Sequence, residues 1–343
     1  MSLVVPTINV ADWETGDETA RSAIAERVDE ACRSIGFMQI TGHGIPDEVI
    51  AGFTDALDEV FGLPPDVKAQ YRPPRASINR GYAPPRSERL SYSLGVDSPA
   101  DMFEAFNVGV PVVEAPGVNP DMYAANIWPD PTMAPTFETG VENWLREVGV
   151  LARRMTSIAG QAIGVGADFF EPFTGQSVDV LRMVNYALPP GTQLEPDQLG
   201  MGAHTDYGIV TILWADPVPG LEILGPDGAW HPVLPAPGAL LINLGDLLAR
   251  WTNDRYMSTM HRVVPPIDAD GRSIRRRSAA FFHDGNADAI ISTLGPCRDI
   301  DGSSPYDDVT VAEHLAQKLG GSRGLELNQH AGREAARIET TTP

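Results

Sequence analysis

Cysteine is scarce in this chain, and its two residues, Cys32 and Cys297, form neither a disulfide framework nor a CxxC pair. That usage suits a reducing cytoplasm and gives neither cysteine a catalytic role. Basic residues are also few: 25 Lys and Arg against 46 Asp and Glu leave a formal net charge of −21. Nucleic-acid affinity is built by neutralising phosphates with Lys and Arg, so nucleic acid and anionic membrane are excluded as partners. Long apolar runs are missing too. No stretch approaches the ~20 apolar residues that a bilayer span requires, and residues 1–10 lack a basic start and an apolar core. A cytoplasmic location is expected. Internal repeats, heptads and low-complexity tracts are absent as well.

What is present is enough apolar content, 43% of 343 residues, for a substantial core in one large or two small domains. Residues 5–10 can open a sheet. Helical periodicity runs over 19–34, 47–61 and 133–163, the last carrying Phe137, Val141, Trp144, Val148, Leu151, Met155 and Ile158 on one stripe. Residues 36–40 read as a buried strand. Residues 63–131 are rich in Pro and Gly and read as irregular chain, with loops at 80–85 and 115–120; so much irregular chain inside a folded protein points to function. From residue 180 the pattern changes to short strands at 180–187, 208–214, 221–224, 230–234, 239–243, 257–264 and 276–283. Turns at Pro226-Asp227-Gly228 and Asp270-Gly271 punctuate them as in an antiparallel sandwich or barrel. The tail, 320–343, is polar.

Within that strand-rich half stands His204-Thr205-Asp206. Residues two apart on an extended strand face one side, so an imidazole and a carboxylate come from three residues. His261, in another strand-like run, is the best third ligand. Two histidines and one carboxylate on one face of a metal leave three positions open, the arrangement of non-haem Fe(II) oxygenases. His43, between two glycines, reads as turn chemistry. His231, His283 and His314 read as surface residues or supports around the site. The basic knot Arg272-Ser273-Ile274-Arg275-Arg276-Arg277 is either a solvated face or the source of an arginine turned toward an anionic ligand.

The chain resembles the isopenicillin N synthase-like family of Fe(II)/2-oxoglutarate-dependent oxygenases. The likeness is carried by Gly36-Phe37-Met38-Gln39-Ile40-Thr41-Gly42-His43-Gly44-Ile45-Pro46, Arg80-Gly81-Tyr82, Phe103-Glu104-Ala105-Phe106-Asn107 and Asn126-Ile127-Trp128-Pro129, and then by His204-Thr205-Asp206, Asn243-Leu244-Gly245-Asp246, Trp251-Thr252-Asn253, Ser258-Thr259-Met260-His261-Arg262-Val263 and Arg276-Arg277-Ser278. Order and spacing together make it specific. The chain departs from the family at Gly42, where Asn is usual, and at Ala187-Leu188, where proline is common. The resemblance implies a mainly β protein with flanking helices around a distorted double-stranded β-helix, or jelly-roll. Its parts would be an N-terminal region and linker (1–131), a long core-flanking helix (132–179), the jelly-roll (180–290) and a C-terminal helical region with the polar tail (291–343). It also implies metal ligands His204, Asp206 and His261, no catalytic residue beyond them, and an RxS motif, Arg276 and Ser278, for the distal carboxylate of 2-oxoglutarate. Tyr186 either lies near that cosubstrate or caps the core.

The implied reaction uses Fe(II), 2-oxoglutarate and O2 to oxidise a small molecule, by hydroxylation first and by desaturation or ring formation otherwise, with release of succinate and CO2. High Ala, Gly, Pro and Arg content points to a bacterial enzyme, and the resemblance implies a place in natural-product or antibiotic biosynthesis. Two rivals stay open: an oxidase of the isopenicillin N synthase type that needs no 2-oxoglutarate, and a non-catalytic jelly-roll that binds a small molecule. Asn243, Gly245 and Asp246 read as shaping a barrel turn. The substrate is not legible, although residues 63–131 and the chain beyond His283 should line the pocket mouth.

Overall fold

The structure, a computed structural model, describes residues 3–110, 119–187, 192, 194–195, 197–267, 272–323 and 326–328. Most of the loop at 115–120, Leu188, the turn at Asp270-Gly271 and most of the polar tail lie outside the described residues. Among the described residues no helix is long and apolar enough to cross a membrane.

Strands β1 (Thr7–Asn9), β2 (Phe37–Thr41), β3 (Gly81–Ala83), β4 (Glu104–Gly109) and β5 (Val180–Tyr186) precede the metal motif. They are followed by β6 (Met201–His204), β7 (Val210–Ala215), β8 (Leu221–Leu224), β9 (Trp230–Pro232), β10 (Leu240–Leu244), β11 (His261–Val263) and β12 (Arg276–His283), then by the short β13 (Ile290–Ile291) and β14 (Val309–Thr310). The larger sheet has the order β1-β2-β10-β7-β12-β5-β4-β3, antiparallel except for the β1–β2 pair. The smaller runs β6-β11-β8-β9, and β13 pairs with β14. The helices are α1 (Asp12–Thr15), α2 (Glu18–Ser34), α3 (Asp47–Gly62), α4 (Pro65–Lys68), α5 (Phe137–Ile163), α6 (Glu171–Thr174), α7 (Asp246–Trp251) and α8 (Val311–Ser322). This is the helix-flanked double-stranded β-helix that the resemblance implies.

The alternation of β12 explains the layering. Ala279 and Phe281 face the helix-side core, which also takes Phe53 of α3 and Trp144 and Val148 of α5. The intervening Arg276, Ser278, Ala280 and Phe282 line the space between the two sheets. There a second apolar cluster, with Phe37, Val184, Tyr186, Leu221, Ile223 and Val263, fills the sandwich interior. The stripe read along residues 133–163 is this buried face of α5, although the helix begins at Phe137, four residues later than expected.

Three readings are corrected. Residues 63–131 are not wholly irregular, since β3 and β4 pair with each other and β4 extends the larger sheet beside β5. The strand expected over 257–264 is only His261–Val263, because Ser258 and Thr259 turn their hydroxyls to Asp246 and to the Ile35 carbonyl instead of joining a ladder. β6 ends at His204, so Asp206 is not a strand residue.

Candidate metal centre and adjoining cavities

β6 and β11 are antiparallel neighbours, and His204 pairs directly with His261. The two imidazoles therefore leave the sheet side by side, with ring centroids 4.3 Å apart. Each ring is held from behind: His204 Nδ1 donates to the Gly202 carbonyl at 2.8 Å and His261 Nδ1 to the Thr259 carbonyl at 3.1 Å. A carbonyl can only accept, so both protons sit on Nδ1 and both Nε2 lone pairs are free. Burial, together with the neighbouring His261, lowers the pKa of His204 and keeps it neutral. Asp206 completes the group. Its Oδ2 accepts from Thr211 Oγ1 and Asn243 Nδ2, each at 2.5 Å. Its Oδ1 then lies 3.8 Å from His204 Nε2 and 3.6 Å from His261 Nε2. The three buried residues offer one ligand atom each, all within 4.8 Å of one another. Two imidazole nitrogens and one carboxylate oxygen on one side suit a divalent iron with open positions.

The loop that carries Asp206 is fixed by α7. The Asp246 amide donates to the Asp206 carbonyl at 2.8 Å, and the Gly245 amide to the Ile209 carbonyl at 3.1 Å. A Cβ on Gly245 would meet the Gly208 carbonyl oxygen at 2.1 Å, so only glycine lets α7 approach this closely. Asp246 is itself a buried hub, taking Thr205 Oγ1 at 3.1 Å, Ser258 Oγ at 2.6 Å and Lys318 Nζ of α8 at 2.8 Å. Burial pushes its carboxyl upward, but the Lys318 charge and the hydrogen bonds from Lys318 and Ser258 prevail and hold it below the usual range.

Two cavities meet at the triad. One, with an empty volume of about 560 Å³, is lined by His204, Asp206 and His261 and by Arg276, Ser278 and Tyr186. Arg276 is 2% exposed; its Nε donates to the Val218 carbonyl at 3.3 Å, its guanidinium lies 5.3 Å from the centre of the Tyr186 ring, and its Nη1 has no hydrogen-bond partner. A buried guanidinium with an orphaned nitrogen and no carboxylate partner among the described residues can take a ligand carboxylate. Arg277 faces the other way and is not simply solvated: it pairs with Asp216 and Asp58, both at 3.0 Å. The second cavity, of about 770 Å³, includes His204 and Asp206 and reaches residues of 63–131 and of α8, among them Asn79, Met122 and Leu315.

Of the other histidines, His43 takes the Ile45 amide on Nδ1 and donates to the Gly238 carbonyl, as turn chemistry predicts. His231 pairs with Asp227 at the surface, and His314 lies 3.8 Å from Asp246. His283 is not a surface residue: it is buried against Asp179 at 2.9 Å. Sequence reasoning missed Thr211, Lys318 and the clamp that Asn243 puts on Asp206. The available signal was a polar residue within the apolar strands 210–215 and 240–244, and a lysine one turn after His314 on the buried side of α8.

Residues 5–131 match the family described as the N-terminal part of the non-haem dioxygenase in morphine synthesis, and residues 178–285 match the 2OG-Fe(II) oxygenase superfamily. A 2-oxoglutarate-Fe(II) type oxidoreductase of Emericella nidulans, hxnY, is 34% identical over 318 residues, covering 90% of this chain and 87% of that one. Homoarginine-6-hydroxylase 2-ODD-233 of Oryza sativa subsp. japonica is 33% identical over 307 residues, covering 86% and 88%. Among solved structures, Neurospora crassa T7H in complex with alpha-KG superposes with a TM-score of 0.82 at 26% identity over 93% of this chain and 96% of that one. The same enzyme has been crystallised with alpha-KG and thymine.

Proposed function

Because the chain belongs to the 2OG-Fe(II) oxygenase superfamily, we propose that His204, Asp206 and His261 hold its iron and that Arg276 and Ser278, with Tyr186 packed against the guanidinium, seat 2-oxoglutarate. The enzyme is a non-haem dioxygenase that takes Fe(II), 2-oxoglutarate and O2. When bound, iron and cosubstrate supply the oxidation of a C–H bond by O2, with release of succinate and CO2. The chain's own residues bind, orient and exclude water. Gly202 and Thr259 keep both ring protons away from the metal, while Thr211 and Asn243 hold one carboxylate oxygen and leave the other free. Arg276 supplies a charge-assisted anchor inside an apolar wall. The prime substrate is a small molecule seated in the larger cavity, and hydroxylation is its proposed fate. A natural-product setting follows from the resemblance and a bacterial one from composition, whereas the two curated relatives named are fungal and plant proteins.

The observation that carries the residue roles is the orphaned Nη1 of Arg276, in the cavity that also holds the three ligand atoms. The test is anaerobic iron loading followed by succinate assay. His204→Ala, Asp206→Ala and His261→Ala should each bind less iron and lose turnover, whereas the parent enzyme should form succinate slowly without a prime substrate. Full activity of any one variant at limiting Fe(II) would remove that residue from the metal site. Undiminished product formation without 2-oxoglutarate would mean an oxidase of the isopenicillin N synthase type.

A further inference from the structure

Resting on the oxygenase reading, we infer that the larger cavity recognises a small carboxylic acid, gripped by Arg182 and Arg323 across from the iron ligands. The observation is an imbalance of buried charge. Arg80, Arg182 and Arg323 all line this cavity, and Arg80 and Arg182 are 1% and 8% exposed. Arg182 gives Nη2 to Glu88 Oε2 at 2.9 Å and Nη1 to Oε1 at 3.4 Å, while Arg323 Nε lies 3.6 Å from the same Oε1. Two guanidiniums thus share one carboxylate. Arg80 meets only the backbone carbonyls of Asn79, Met122 and Ala124. Three positive charges less the single one of Glu88 leave two uncompensated in this group, within a protein whose net charge is −21.

The cavity's remaining acids do not cancel them. Asp121 is bound by Arg75 and Ser77, and Asp206 belongs to the triad. Asp284 is buried, and the charges that act on it are those of Asp179 and Asp206, with no arginine among them. Arg182 Nε has no hydrogen-bond partner, and Arg182 lines both cavities. Buried guanidiniums that outnumber their counter-ions are costly unless a ligand brings the anion. The same cavity is also lined by Leu90, Val180 and Phe282, so the ligand is an acid with an apolar body whose carbons are presented toward His204 and Asp206.

The probes are 3-phenylpropanoate, indole-3-carboxylate and hexanoate, each beside its primary amide, titrated calorimetrically into the anaerobic Fe(II)–2-oxoglutarate enzyme. At least one acid should bind about ten-fold more tightly than its amide, the effect of a hydrogen bond to a charged group, and added salt should erode that preference. Arg323→Gln should shrink the preference. Glu88→Gln, which releases both guanidiniums, should enlarge it, an increase that a folding defect does not produce. If no acid exceeds its amide, or if Glu88→Gln lowers the preference, the inference is overturned. Succinate formation by the parent enzyme without any probe tests the oxygenase reading separately.

Discussion

At the scale of the residue, strand geometry separates two adjacent arginines. Arg276 and Ser278 point into the sandwich, while Arg275 and Arg277 point out and share Asp58 at 2.7 and 3.0 Å. No bulge intervenes, because β12 keeps one register against β5 from Arg276↔Tyr186 to Phe282↔Val180. Arg276→Gln should therefore raise the apparent KM for 2-oxoglutarate by about ten-fold or more, from ~1.5–3 kcal/mol for a hydrogen bond to a charged group. Arg277→Gln should change it little, since Arg277 holds α3 to the sheet. Steady-state kinetics in 2-oxoglutarate decide this, and sensitivity at Arg277 instead would put the cosubstrate elsewhere. The face of each arginine was legible from alternation, but the ion pairs of Arg277 were not, because Asp58 and Asp216 are far from it in sequence.

At the scale of the element, α8 is tied to the loop that carries Asp206 through one buried ion pair. Lys318 meets Asp246, and Asp246 in turn holds Thr205 and the backbone of Asp206. Removing one partner leaves a buried charge uncompensated, at a cost of about 3–5 kcal/mol. Lys318→Met should thus lower the denaturation midpoint and also weaken iron binding under conditions where the protein stays folded, read by iron titration. Unchanged iron affinity in a folded Lys318→Met protein would confine α8 to a packing role. The helical pattern of α5 was plain because its stripe repeats over 27 residues. The strands at 81–83 and 104–109 were hidden, since short segments among Pro and Gly carry too little periodicity, and the pairing of β4 with β5 is what makes them strands.

At the scale of the whole molecule, acid should unfold this protein through groups that are buried neutral. Burial pulls His314 down to about 3 despite nearby Asp246, with Lys318 and Arg250 adding to the lowering. A histidine whose folded pKa lies below its unfolded value of about 6.5 stabilises the native state above that value and loses the contribution as pH falls toward 3. Stability of the iron-free protein should decline from about pH 6.5 downward, by up to ~1.4 kcal/mol per pH unit for each such group. His314→Gln should flatten that decline in denaturant titrations at pH 7, 6 and 5; an unaltered slope would show that His314 titrates freely. The sequence by itself determined what is local or periodic: the long helices, most strands of the second half, the face of each β12 residue, and the HxD pair with its distant histidine. Only the tertiary structure decided which hydroxyl and amide hold Asp206, that a lysine from α8 underlies the metal loop, and that three arginines from separate segments converge on one cavity. Those contacts join residues up to 235 positions apart, and no period or motif in a single chain encodes a meeting made by packing.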